Sequence, residues 1–279
     1  MLCLLSAEGY KLKKSKSFFV SAVVMTLVVV LMYGILLLLD GVVKGEIENG
    51  TAGVIVTQED RQDLDELESG SVWEQIGIMD IMRQVFSGNL ASCVLAVYVS
   101  IVVVSEYSSG MIKNIVGKGN SRTVIFMSKL IMALLSSLLL LLISCAMVLA
   151  FGMIFIGKSA FAGGFLQNLM LYIGIQMLLN AALAALYVLI AEVARSYAAG
   201  ISASIGAAVF PTLLFTGLDV ISEKYGLTLS SYWVVTRSET CPLSGITADF
   251  VLETVLVSAV WFLISVGLGI WHFNKTDVK

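Results

Sequence analysis

Charge is what this sequence has least of. Of its 279 residues, 13% are Asp, Glu, Lys or Arg, about half the ~25% of an ordinary soluble domain. Histidine occurs once, at His272, and proline twice. No His-Glu-x-x-His zinc motif is present, no Gly-x-x-x-x-Gly-Lys-Ser/Thr phosphate loop, and no Gly-x-Ser-x-Gly nucleophile elbow. The stretch Gly200-Ile201-Ser202-Ala203-Ser204 does not fit the last of these. The chain is therefore not expected to be an enzyme by itself, to bind ATP through such a loop, or to hold a metal or cofactor. The four cysteines, Cys3, Cys93, Cys145 and Cys241, fall in a tail, two apolar runs and a loop. No two share a compartment in a way that makes a bridge, so they read as packing residues.

What fills the space is apolar. Hydrophobic residues make up 58% of the chain, and the mean hydropathy is +0.94. Uncharged runs of about 20 residues recur, the length at which a helix crosses a ~30 Å hydrocarbon core. They predict an all-α polytopic membrane protein with spans at 18–39, 87–104, 130–156, 169–191, 198–218 and 251–271. None of these contains Lys, Arg or His, and the one ionisable side chain within them is Glu253. Buried charges of the kind that mark ion pathways are thus expected to be missing. The third run is long enough that it must tilt, or break near Gly152.

Lys and Arg set the expected orientation. With the N-terminus inside, the inner segments hold 11 basic residues and the outer segments 6, so the positive-inside rule puts both termini in the cytoplasm. The basic cluster Lys11, Lys13, Lys14 and Lys16 precedes the first run, which is about twice a normal signal-peptide core and reads as a retained anchor. Residues 1–17 are expected to form a cytoplasmic interfacial helix. The expected location is the plasma membrane, with the bilayer as solvent and no nucleic-acid partner.

Three soluble stretches separate the spans. The outer loop 40–86 has a β-prone run, Gly53 to Thr57, then an acidic stretch from Glu59 to Glu68. Ser71 is placed to cap a helix through Trp73, Ile76, Met79 and Met82. The acidity is read as a solvated face rather than a site for cationic ligands. In the inner loop 105–129, Met111, Ile112, Ile115 and Val116 fall on one helical face, with Lys113 and Asn114 off it. Gly117 and Gly119 stop that helix and Ser121 caps the next. Periodicity alone leaves two readings open, a passive interfacial helix and a docking element. The outer loop 219–250, with Tyr232, Trp233 and Pro242, suits a membrane interface or a partly re-entrant segment. In the fifth span, Ala199, Ala203 and Ala207 run beside Gly200, Ser204 and Ala208, a spacing that lets helices approach closely within the chain or between subunits. Pro211 is expected to kink this span.

The segment Glu8-Gly9-Tyr10-Lys11-Leu12-Lys13-Lys14-Ser15-Lys16-Ser17-Phe18 resembles the basic first helix of permease subunits from the type-2 exporter superfamily of ABC transporters. Glu106-Tyr107-Ser108-Ser109-Gly110-Met111-Ile112-Lys113-Asn114, followed by Gly119-Asn120-Ser121-Arg122 and Ser128-Lys129, is similar to that family's signature after the second span. Met111 stands where the family usually has Thr. Among its branches the chain most resembles the bacitracin- and lantibiotic-type resistance and immunity permeases of bacteria. The resemblance implies that Glu106, Tyr107, Gly110, Met111, Ile112, Lys113, Asn114, Ile115, Ser121 and Arg122 form a coupling helix docking on a separate ATPase subunit. That partner carries ATP and Mg. It implies a second permease subunit, identical or paralogous, a kink and outer gate near Pro211, Tyr232 and Trp233, and a hydrophobic or amphipathic substrate such as an antimicrobial peptide or a lipid-like compound. A non-transporting membrane sensor or scaffold is the alternative, and a small intramembrane enzyme comes third.

Overall fold

The computed structural model describes residues 9–10, 14–48, 77–87, 89–112, 117, 121–157, 165–222, 228–242 and 245–275. Among them every regular element is helical: α1 (Lys16–Glu48), α2 (Ile78–Ser87), α3 (Asn89–Ser108), α4 (Arg122–Phe155), α5 (Phe165–Ala194), α6 (Tyr197–Ser222), a 3-10 turn (Ser230–Tyr232), α7 (Val234–Glu239) and α8 (Ala248–Lys275). Six are long and apolar enough to cross a bilayer: Lys16–Gly41, Leu90–Ser108, Arg122–Phe155, Phe165–Ala194, Tyr197–Ile221 and Ala248–Lys275. The all-helical, six-span expectation holds. Lys11, Lys13, Lys113, Asn114 and Ile115 lie outside the described residues, as do Ser71, Trp73 and the β-prone and acidic stretches.

The helices run past the apolar runs that predicted them. α4 has 34 residues, about 51 Å at 1.5 Å per residue, against a ~30 Å hydrocarbon core. It starts at Arg122 rather than at 130, α3 continues to Ser108 rather than stopping at 104, and α5 ends at Ala194 rather than at 191. These extra turns carry Lys129, Glu106 and Glu192, and all three are buried. The expectation of spans without basic groups or buried charges is therefore corrected. A hydropathy run ends at the first charge, but a helix ends only where its backbone bonds do.

α4 does not break at Gly152. The helix runs on to Phe155 and stops where Gly157 takes φ +85. Gly152 is instead a packing notch. A Cβ there would sit 2.8 Å from Ile78 Cδ1 and 3.3 Å from the Tyr33 hydroxyl. Tyr33 donates to the Val148 carbonyl at 2.9 Å, and its ring lies beside Phe151 and Phe155. The notch is filled from α2. This helix buries Ile78, Ile81, Met82, Val85 and Phe86, a 3–4 periodicity, and leaves Asp80, Arg83 and Gln84 outside. Its start is secured by the Gly77 amide, which donates to Asp80 Oδ2 at 3.1 Å.

α5 is the central helix. It packs on α3, α4, α6 and α8, and its 13 buried residues include Tyr172, Gln176, Tyr187 and Glu192. α3 and α4 pack little on one another and meet through α5 and α1, each of which packs on both. α6 turns Gly200, Ser204 and Ala208 inward. The Ser100 hydroxyl of α3 sits 3.1 Å from the Gly200 carbonyl and 2.9 Å from Ser204 Oγ. Ala199 and Ala203 face outward. The small-residue spacing thus serves contact within the chain on one of its two stripes.

Among the described glycines, the tightest contact is that of α8 on α4. A Cβ on Gly269 would overlap the ring of Phe126, which is fully buried. Gly269→Ala is expected to lower stability by about 1–3 kcal/mol, the usual cost of overpacking. Adding Phe126→Leu should recover part of that. Thermal unfolding of the detergent-solubilised protein reads both, and an unshifted midpoint in Gly269→Ala would show that the ring moves aside freely.

Candidate functional site

Two clusters of polar side chains lie at opposite ends of the bundle. The first is built where α3 and α5 end and α4 begins. Lys129 is buried, with its Nζ 2.6 Å from Glu192 Oε1 and 3.4 Å from Glu106 Oε2. All three side chains are at most 3% exposed. Tyr107 donates its hydroxyl to the other oxygen of Glu192, so this carboxylate accepts at both atoms. The Lys129 ammonium also lies over the rings of Tyr107, at 4.6 Å, and Phe273, at 5.4 Å. The Arg195 guanidinium stacks on the same Tyr107 ring at 5.4 Å.

The formal charges of Glu106, Glu192, Lys129 and Arg195 cancel. That balance matters because stripping an ion of water costs several kcal/mol, offset only by a partner with good geometry. The α5–α6 turn helps hold the cluster. Arg195 adopts φ 52, a left-handed conformation that costs a non-glycine residue energy. Ser196 then caps α6 by accepting from the Ala199 amide at 3.2 Å, and Tyr197 meets Ser108 at 3.0 Å. α8 is tied to the start of α4 by Arg122, which donates to the Asn274 carbonyl at 3.3 Å, and by Asn274, which donates to Thr123 at 3.4 Å.

Of the sequence-predicted coupling residues, Glu106 and Tyr107 lie in this cluster and Arg122 at its edge. Gly110 takes φ +67 and ends α3 in a turn that disfavours a side chain. Met111 is 38% exposed and Ile112 1%, so among the described residues of the segment Ile112 is covered by its own chain and Met111 presents apolar surface outward. Ser121 precedes α4 without a side-chain cap bond. Lys14 and Lys16 are exposed at the start of the chain, and Lys14 donates to Tyr10 at 3.3 Å. Sequence reasoning assigned no role to Lys129, Glu192 or Arg195. The signal for the first was present, since Lys129 closes the Ser128-Lys129 pair of the signature.

The second cluster lies at the far end. Asp219 accepts from the amides of Leu229 and Ser230 at 2.5 and 3.1 Å, which holds the 3-10 turn on the end of α6. Trp233 is buried and donates to Thr212, next to Pro211, at 3.1 Å. It meets Trp261 of α8 edge to face at 4.9 Å, and Trp261 donates to the Tyr232 carbonyl at 3.0 Å. Pro211, Tyr232 and Trp233 are thus brought together, with Tyr232 exposed and Trp233 inside. All of α7 from Val234 to Ser238 is buried. Ser238 donates to Gln176 of α5 at 2.8 Å. Arg237 donates to Thr254 at 3.0 Å, to the Phe250 carbonyl at 3.3 Å and to Glu253 at 2.8 Å. Glu253 is outward-facing and serves as counter-ion to Arg237. Burial pushes the Cys241 thiol up to about 11 and raises Glu239 above the usual carboxylate range. Among the described residues no cluster of three His, Cys, Asp or Glu is placed to hold a metal.

Two expected outcomes follow from this geometry. Lys129→Met leaves two buried carboxylates facing each other and should cost about 3–5 kcal/mol of stability. Adding Glu192→Gln should restore part of it, read by thermal unfolding in detergent. Cys241 should resist maleimide at pH 7 in the folded protein and react only after unfolding, because both its burial and its raised pKa suppress the thiolate. Fast labelling at pH 7 would contradict its place behind α7.

Residues 4–211 match the family model described as ABC-2 family transporter protein. A curated relative is an uncharacterized membrane protein, YdbK, of Bacillus subtilis strain 168. It is 25% identical over 198 residues, which cover 68% of this chain and 79% of that protein. With six apolar helices and a family match over most of its length, the chain is a multi-pass membrane protein that belongs to the ABC-2 transporter permease family.

Proposed function

We propose that this chain is the transmembrane subunit of an ATP-driven exporter, powered by a separate ATPase subunit that carries ATP and Mg. It works beside a second permease subunit, a further copy or a paralogue. The observation that carries this reading is the charge cluster at the base of the 105–129 segment. Glu106 stands at the start of that segment, Lys129 ends it, and the two are paired out of water. A docked ATPase pulling on the segment would act directly on helix ends that are joined by charge. The orientation that goes with it puts this end, and both termini, in the cytoplasm, as the distribution of Lys and Arg favours.

The substrate proposed is hydrophobic or amphipathic, with antimicrobial peptides as the class to test first. The outward faces of α1 and α8 are rich in Leu and Val, as lipid contact requires. Among the described residues, the buried ionic contacts lie at the two ends of the bundle rather than along a central path, which fits an apolar cargo better than an ion. Deletion of the gene should sensitise cells to a lantibiotic or bacitracin-like peptide. Unchanged sensitivity to a panel of such peptides would remove that substrate class.

Tagged protein should co-purify with an ATPase subunit. Met111→Asp, which puts a charge on the exposed apolar residue of the docking segment, should lower ATPase recovery roughly tenfold, equivalent to about 1.4 kcal/mol. Ile112→Asp should instead destabilise the chain itself, since Ile112 is buried within it. Recovery of the ATPase with Met111→Asp at the unmutated level would leave the segment a passive interfacial helix. Orientation is checked separately. In intact cells a membrane-impermeant maleimide should label Tyr232→Cys and not Lys275→Cys; the reverse pattern would invert the topology.

A further inference from the structure

We infer that Lys129 is a positioning residue of the transport cycle, a shared cation that carries displacement of the docking segment from α3 to α5 by moving between Glu106 and Glu192. This rests on the exporter reading above.

The argument begins with connectivity. The docking segment has two fixed ends, Glu106 on α3 and Lys129 on α4, and their ion pair closes the segment at its base. α3 and α4 make few other direct contacts and are held together through α5 and α1, which pack on both. A force that moves the end of α3 relative to α4 therefore loads this ion pair, the charged link between the two ends of the docking segment. The same ammonium holds Glu192 on α5, the helix on which α3, α4, α6 and α8 all pack. Lys129 thus stands between the part that is pushed and the part that carries the bundle.

The two contacts differ. Lys129 to Glu192 is a short hydrogen-bonded pair at 2.6 Å, whereas Lys129 to Glu106 is an ion contact at 3.4 Å. Glu192 is further held by Tyr107, the neighbour of Glu106 on α3. The Glu106 contact is the looser joint and the Glu192 contact the tighter one. Displacing α3 changes how the ammonium is divided between the two carboxylates, and Tyr107 moves with α3 while bonded to α5. A cation shared by two carboxylates has two arrangements of similar composition, which is the discrete element that long-range coupling needs. No bond is made or broken, and no proton need leave the cluster.

A purely structural role would also make Lys129 matter for stability, so the test reads motion. The permease–ATPase complex is purified and reconstituted, carrying Tyr232→Cys at the opposite end, where Tyr232 is 64% exposed. Labelling by a polar maleimide is timed with and without ATP and Mg, and the chain lacking the added cysteine supplies the background. Glu106→Gln and Glu192→Gln each leave Lys129 one carboxylate partner, and both are compared with the unmutated complex at equal ATPase recovery. With ATP, the unmutated complex should change its labelling rate at Tyr232→Cys. In either Gln variant that change should shrink roughly fivefold or more, the low end of typical coupling between sites, at temperatures well below the variant's own unfolding. A full ATP response in both Gln variants would overturn the shared-cation role and leave Lys129 a structural residue. An unmutated complex that hydrolyses ATP with no change at Tyr232→Cys would also overturn it. A chain that recovers no ATPase at all would instead overturn the exporter reading beneath it.

Discussion

Burying one ammonium between two carboxylates organises the Lys129 end of this molecule. Lys129 can leave water only because Glu192 and Glu106 meet it, with Tyr107 satisfying the second oxygen of Glu192. These groups come from the last or first turns of three different helices. The cluster therefore fixes where α3 and α5 end relative to where α4 begins, beside the apolar packing of Val104, Ile125, Phe126 and Val188. Lipid supplies no hydrophobic drive for helices to associate, which gives a specific polar contact more weight here than in a water-soluble bundle.

The opposite end uses the same device with a different composition. Arg237 is buried and answered by Thr254, the Phe250 carbonyl and the outward Glu253. Around it, tryptophans do much of the joining: Trp233 binds α6 through Thr212, and Trp261 of α8 binds the turn through the Tyr232 carbonyl. Rings that present an apolar body and one donor suit the boundary between lipid and water. Between the two ends the bundle relies on notches and small hydroxyls, such as Gly152 receiving Ile78 and Ser100 meeting Gly200 and Ser204.

Much of the candidate site was written in the signature after the second span, yet its working geometry was not. Glu106 and Tyr107 were marked by resemblance, while Lys129 was read only as the last letter of a motif. Glu192 and Arg195 were invisible, because a charge just beyond an apolar run looks like an ordinary edge marker. Ile112 is a different case. Its periodicity placed it on an apolar face, and periodicity cannot say whether that face meets a partner or its own bundle.

Six helices in a bilayer were determined by the sequence alone. The match between an uncharged run and the thickness of hydrocarbon is a local property, carried by each segment independently of the others. The tertiary structure decided which charges lie inside. Glu106, Lys129 and Glu192 belong to three separate helices, and whether a charge at a helix end points to water or to a counter-ion depends on what the neighbouring helices bring to the same point. That is a property of distances in space, and only packing around α5 brings the ammonium and the carboxylates to within 2.6 and 3.4 Å.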